Sequence, residues 1–306
     1  MSSSKISPTP LSALNTQNLS FQIASLTISL ESASPDLQIR LQEPKDRFLV
    51  KDVPADVKIQ ARWENLREEP RGNEIFSSGS TWKLFDWQGS HLFRLTAPAY
   101  GTIPYKEAIF NPDFSAGEIR LHRPFYRPEE PQDPLEYPLD ELLVIHSLSR
   151  GRGAEIHALG IADPRGNGFL FPGQSGAGKS TMARLWQDQP GIEVLSDDRI
   201  ILCPQGNQFL MYGTPWHGDA RFSSPRSAVL KGIFFLGSGK ENELIPMKKG
   251  DALGRFFACG FPLFYKPPAL QSLLAFFERI VAALPCHEIR FFPDSRVVDF
   301  LLRQAF

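Results

Sequence analysis

Eight consecutive residues, Gly173-Gln174-Ser175-Gly176-Ala177-Gly178-Lys179-Ser180, fit G-x-x-x-x-G-K-[ST] at every fixed position. Glycines in such a loop let successive backbone N–H groups turn into one concavity without a Cβ in the way. A helix beginning near Lys179 adds its positive N-terminal end to the same anion site. The expected guest is the polyphosphate of ATP. Lys179 reaches the β- and γ-phosphates, the Ser180 hydroxyl holds Mg²⁺, and Thr181 continues the binding stretch.

A second cluster follows. Asp197-Asp198 ends the apolar run Ile192–Leu195. A carboxylate at a strand end beside a phosphate loop is a common Mg²⁺ ligand. Two adjacent carboxylates can divide labour, one on the metal and one as general base. His157 lies sixteen positions ahead of Gly173. A hairpin would fold it back beside the loop, where it could orient or tune a carboxylate. The competing reading is a half-buried strand histidine with a backbone partner. Residues 213–221 (GTPWHGDAR) carry His217, Asp219 and Arg221 in a glycine-bracketed loop. Arg221 is a candidate for stabilising charge on a transferring phosphoryl group. An ordinary turn with Trp216 packed inward is the alternative.

These residues need elements to hold them. Ala154–Ile161 reads as a strand, 163–168 as a turn and Phe169–Phe171 as a second strand, together an antiparallel hairpin. Ser180–Gln189 should be helical. Arg199–Cys203 and Gln208–Tyr212 flank a turn and form another hairpin. Gly232–Leu236 and Ile289–Phe292 read as strands; Asp251–Ala258, Ala269–Leu284 and Asp294–Gln304 read as helices. The apolar stripe of Ala269–Leu284 is core packing. Upstream, Ser20–Leu30, Val57–Trp63, Thr81–Trp87, Leu92–Leu95 and Gly117–Leu121 carry strand signals. Leu139–Leu148 reads as a helix stopped by Gly151 and Gly153. The expected organisation is a loosely ordered start (1–20), a β-rich domain (21–136) ending in an acidic, Pro-rich linker (123–136), and a catalytic domain (137–306).

Bulk properties narrow the function classes. The 306 residues are 42% hydrophobic and 22% charged, which suits a chain able to bury a core. Lys plus Arg is 33 against 34 for Asp plus Glu, a net charge of −1. That balance carries no footprint for nucleic acid or an anionic membrane. Cys203, Cys259 and Cys286 form no CxxC pair, so neither a zinc site nor a redox motif is indicated. Sparse cysteines, an opening MSSSKISPTP without an apolar segment and the lack of long apolar runs point to the cytoplasm.

A histidine-bearing strand, a hairpin, a GxSGxGKS loop and a strand ending in Asp-Asp resemble the C-terminal domain of HPr kinase/phosphorylase, which shares a fold group with phosphoenolpyruvate carboxykinase. The stretches LSDDR, GTPWHGD and RFFPDSRVVDFL are similar to those of HPr-kinase-like proteins. The resemblance covers roughly Tyr137 to Phe306. It implies an α/β (α+β) P-loop domain of that kind, preceded by the β-rich domain. It makes Asp197 the general base or acid and Asp198 a Mg²⁺ ligand, and sets His157 where the family has a histidine interacting with the catalytic aspartate. No EIRG stretch occurs downstream, which leaves HPr recognition and the reverse phosphorylase reaction open. The expected activity is an ATP-dependent kinase whose acceptor is a hydroxyl, a serine of a protein or peptide or a small molecule. The alternative is a nucleotide-binding sensor or assembly module with slow ATP hydrolysis, possible as a homo-oligomer. Carboxykinase chemistry ranks third, because no second-metal His/Lys/Asp set is recognisable.

Overall fold

Alternation shapes the first half of the chain. Val57–Glu64 reads VKIQARWE, with Val57, Ile59, Ala61 and Trp63 buried and Lys58 and Gln60 exposed. That period of two is a strand with one face on a core and one in water. A computed structural model describes residues 17–69 and 71–304. Nine strands form its first sheet: β1 (Asn18–Ile23), β2 (Leu26–Ser32), β3 (Leu49–Val50), β4 (Val57–Glu64), β5 (Asn73–Ser77), β6 (Trp82–Trp87), β7 (Ser90–Leu95), β8 (Lys106–Phe110) and β9 (Ala116–His122). Their order is β3-β1-β2-β4-β9-β8-β7-β6-β5. Helix α1 (Leu139–Leu148) packs on this sheet, with Leu139, Leu143 and Val144 in one core with Phe21, Ile28 and Phe110.

The second half holds β10 (Ala154–Ala162), β11 (Asn167–Pro172), β12 (Glu193–Ser196), β13 (Arg199–Gln205), β14 (Gln208–Tyr212), β15 (Ser227–Ser238), β16 (Glu243–Pro246) and β17 (Cys286–Phe291). Strand β11 pairs antiparallel with β10 and parallel with β15. With the β10–β13, β13–β14 and β14–β15 pairings, five strands close into a ring. Helices α2 (Lys179–Gln187) and α5 (Arg296–Arg303) cover one face through Met182, Trp186, Val297 and Leu301. Helices α3 (Lys249–Ala258) and α4 (Pro267–Ala283) cover the other through Phe256, Phe276, Phe277 and Ile280.

The expected α/β class does not hold. Among the described residues, seventeen strands in two large mixed sheets outweigh five helices, and 22% of the chain is helical. The reason lies in the connections. The Asp163 carboxylate takes the N–H groups of Arg165 and Asn167 (2.8 and 2.9 Å), closing a tight turn between β10 and β11. The short turn Gly206-Asn207 joins β13 to β14. Antiparallel neighbours joined this way need no crossover helix, so strand and helix do not alternate.

Of the start expected to be loosely ordered, residues 1–16 lie outside the described residues, and β1 begins at Asn18. The segment expected to be a linker is tied down. Leu135 is fully buried, Lys106 Nζ lies 2.7 Å from Glu136, and Lys45 Nζ lies 2.7 Å from Asp133 and 3.2 Å from Asp140 on α1. Among the described residues no helix is long and apolar enough to cross a membrane.

These contacts give a first testable outcome. A fragment starting at Tyr137 keeps every nucleotide motif but strips α1 of its core. Leu139, Leu142, Leu143 and Val144 are at most 7% exposed in the whole chain. Each such side chain is worth about 1.5–3 kcal/mol when buried, and four together approach the whole stability of a domain, about 5–15 kcal/mol. The fragment is expected to aggregate or melt without cooperativity in calorimetry. A sharp, reversible melt would mean that the second half stands alone.

Candidate functional site

Register brings the site together. On one side of β10, Ala158 pairs with Pro172 at the end of β11, and the Gly173 N–H donates to the His157 carbonyl at 3.1 Å. On the other side His157 pairs with Arg199, and the Ala158 N–H donates to the Asp198 carbonyl at 3.1 Å. Here β10 changes partner from β13 to β12. Asp197-Asp198 is the two-residue step between those strands. The start of the glycine-rich loop, His157 and Asp198 therefore lie in one row across adjacent strands.

The loop is shaped for an anion. Gly176 and Gly178 have φ of +83° and +95°, a left-handed conformation that favours glycine. Among the described residues no acceptor meets the N–H groups of Ser175, Gly176, Gly178, Lys179 or Ser180. Those donors and the N-terminus of α2 together form a concave site of positive potential. Lys179 Nζ is folded back onto the carbonyls of Gly173 and Gln174, at 2.7 and 3.1 Å. Burial pulls its pKa down, against the charges of Asp198 and Asp197. The loop opens on a cleft of about 520 Å³, lined among others by His157, Lys179, Ser180, Thr181, Asp197 and Asp198.

The two aspartates differ sharply. Asp197 is 1% exposed, and three N–H groups reach its carboxylate: Gly218 and Phe222 on Oδ1 (3.0 and 3.1 Å) and Ala220 on Oδ2 (2.9 Å). A carboxylate engaged this way ties down a loop. Asp198 is more open, its side chain 23% exposed, and its Oδ1 sits 2.6 Å from His157 Nε2 while Oδ2 meets the Arg199 guanidinium. Burial raises the Asp198 pKa, but the His157 hydrogen bond and the charges of Arg199, His157 and Lys179 outweigh it and hold the group below the usual carboxylate range. His157 Nδ1 has no hydrogen-bond partner among the described residues, and the side chain is 20% exposed. With Nε2–H given to Asp198, Nδ1 is the ring nitrogen left to accept a proton.

Not every candidate from the sequence reaches the cleft. Asp219 lines it. Arg221 is exposed and does not line it; its N–H donates to the Gly218 carbonyl at 3.1 Å. His217 is also exposed, with its ring nitrogen 3.0 Å from the same carbonyl. Trp216 is packed inward, 8% exposed.

Three residues were missed by sequence reasoning. Arg199 bridges Asp198 to Glu141 on α1, with Nε 2.9 Å from Glu141 and 3.4 Å from Glu155. A signal for Glu155 existed: it is a lone acid in the apolar run AEIHALGIA, two residues before His157 and so on the same strand face. Nothing in the sequence tied Glu141 to this site, because its contact crosses from the first half of the fold.

The donor set suits Mg²⁺. This ion takes one or two carboxylates and fills its remaining positions with phosphate oxygens and water. The Ser180 hydroxyl and the open Asp198 supply that much. Among the described residues no group of three or more His, Cys, Asp or Glu side chains could hold a metal, and a nucleotide-bound Mg²⁺ needs none. No family model matches this chain, and no curated protein matches it.

Proposed function

We propose that this protein is an ATP-dependent kinase that transfers the γ-phosphate to a hydroxyl group, a serine of a protein or peptide or a small-molecule alcohol. The observation that carries this reading is the row formed by the phosphate loop, His157 and Asp198 around one cleft. The likeness of the motifs to HPr kinase/phosphorylase supports it at the level of residues, without the fold.

The N–H groups of residues 175, 176 and 178–180 would hold the β- and γ-phosphates, and Lys179 would leave the loop carbonyls to meet them. Mg²⁺, held by Ser180 and Asp198, would neutralise charge on the phosphates. Asp198 fixes the His157 ring with Nε2–H toward itself, and Nδ1 takes the proton of the acceptor hydroxyl as it attacks. The acceptor oxygen forms its bond to phosphorus as the bond to the ADP leaving oxygen breaks. This division of labour differs from that suggested by the family resemblance: Asp197 holds the 218–222 loop, while Asp198 and His157 act on the reactants.

The direct test is purified protein with γ-labelled ATP and cell extract. Label moving to a protein or metabolite supports the kinase. Tight MgATP binding with only slow release of phosphate makes the protein a nucleotide sensor instead. Lys179→Ala is expected to weaken MgATP binding about 10- to 100-fold in calorimetry, the loss of a charge-assisted contact worth ~1.5–3 kcal/mol. Unchanged affinity would remove the phosphate loop from the argument.

A further inference from the structure

We propose that Glu141 is a positioning residue for phosphoryl transfer: from α1 it aims Arg199, and Arg199 aims Asp198. The proposal rests on the kinase reading of the cleft. Its geometry is a relay of half-buried, directional contacts. Glu141 Oε1 accepts from Arg199 Nε at 2.9 Å, and Arg199 Nη1 donates to Asp198 Oδ2. Both bonds leave the same rigid, planar guanidinium, so fixing one edge fixes the direction of the other. Phe261 lies against the plane, its ring centroid 4.5 Å from Arg199 Cζ. The guanidinium is thus held at two edges and a face.

The Glu141 and Arg199 side chains are only 9% and 17% exposed. An isolated surface pair contributes little, whereas removing one partner of a desolvated pair leaves the other charge uncompensated. Glu155, fully buried, stands beside them. Neither of its oxygens receives a hydrogen bond among the described residues. Burial, then the charge of Glu141 and a hydrogen bond to it, push Glu155 well above the usual carboxylate range. A protonated Glu155 would donate to Glu141 and leave the Arg199 charge to Glu141 and Asp198.

The consequence is that α1, rooted in the core of the first sheet, touches the site carried by the second through Arg199. Anything that shifts the first half would reach Asp198 through two side chains.

Glu141→Gln keeps the shape and removes the charge. It is expected to lower kcat about 10- to 100-fold, the scale of a small misplacement of reacting groups, with KM for MgATP changed less than about 2-fold. Arg199→Lys, which loses the planar fork, should lose a similar factor, and the double variant should be no worse than Arg199→Lys alone. A second readout needs no turnover. The His157 N–H bonded to Asp198 gives a downfield proton resonance, assignable by its loss in His157→Gln, and this resonance should shift in Glu141→Gln. If Glu141→Gln lowers only the melting temperature, with kcat and the resonance unmoved, the proposal is overturned. If the wild-type protein neither transfers nor hydrolyses phosphate, the kinase reading fails by itself. The resonance then decides the Glu141–Arg199–Asp198 link, supporting it if it shifts and overturning it if it does not.

Discussion

Asp198→Asn is expected to lower phosphoryl transfer by about 10²–10⁴-fold, the usual worth of positioned acid–base catalysis. The substitution keeps size but turns one oxygen into a double donor. Asp198 now accepts from two sides, from His157 at 2.6 Å and from Arg199. An asparagine can satisfy only one of them. If its oxygen faces His157, its NH₂ opposes the guanidinium and the carboxamide is pushed out of place. If its oxygen faces Arg199, its NH₂ opposes Nε2, and the ring must move its proton to Nδ1, the atom that has to be free. Either outcome disarms the base, much as the wrong tautomer does in a serine protease triad. His157→Gln should lose a comparable factor and, combined with Asp198→Asn, add little. Single-turnover transfer at saturating MgATP measures this without product release. MgATP affinity should fall only a few-fold, because the phosphates rest mainly on the loop and Lys179. A variant that keeps a third or more of wild-type transfer would show that this pair is not the base.

What the sequence revealed, and what it concealed, follows from how far apart in the chain each contact lies. The glycine-rich turn at 173–180 and the helix after it were legible because the signal is local: eight residues supply glycine freedom, backbone donors and a cation at once. The His157 hairpin was legible because the 163–168 turn fixes its register, and the observed pairing of Ala158 with Pro172 puts His157 beside Gly173. Helix α1 was legible to the residue, since Pro138 and the glycines after Leu148 bracket its apolar run. The fold class was not. Most strand segments carried a signal, but Ser20–Leu30, read as one run, is the hairpin of β1 and β2 turned at Ala24-Ser25, and pairing is long-range: the closure of β11 onto β15 joins residues about sixty positions apart. Strands β3, β5, β8 and β16 went unread, β3 because it is two residues long and the others for a related reason. Asn73–Ser77 and Glu243–Pro246 are mostly exposed, so they carry no apolar alternation, and Lys106–Phe110 hides its pattern behind buried charges, Lys106 and Glu107. The same blindness covered the relay from Glu141. A charged residue on a helix reads as solvated unless its partner, fifty-eight positions away, is known.

Asp197 offers the opposite experiment to Asp198. Asp197→Ala removes the acceptor of three N–H groups, those of Gly218, Ala220 and Phe222. An N–H left without its acceptor costs about 1–3 kcal/mol, so the loss over three of them is on the order of 3–5 kcal/mol. For a chain of this size each kcal/mol moves the melting temperature by roughly 2–4 °C, so a fall on the order of 10 °C is expected in calorimetry. The loop sits close against the carboxylate, since a Cβ on Gly218 would stand 2.8 Å from Asp197 Oδ2, so an alanine leaves a gap under Gly218. Asp197→Asn should be milder yet still destabilising, since its NH₂ must face at least one of the three donors. Transfer by the folded fraction, measured well below the melting point, should fall several-fold, because Gly218 and Asp219 line the cleft and lose their anchor. The two aspartates thus separate on two axes. Asp198→Asn should lose turnover and keep its melting temperature within a couple of degrees; Asp197→Ala should lose melting temperature and only several-fold in turnover. If Asp197→Asn instead left the melting temperature intact and abolished transfer while MgATP still bound, the proton would be going to Asp197, and the roles of the two residues would have to be exchanged.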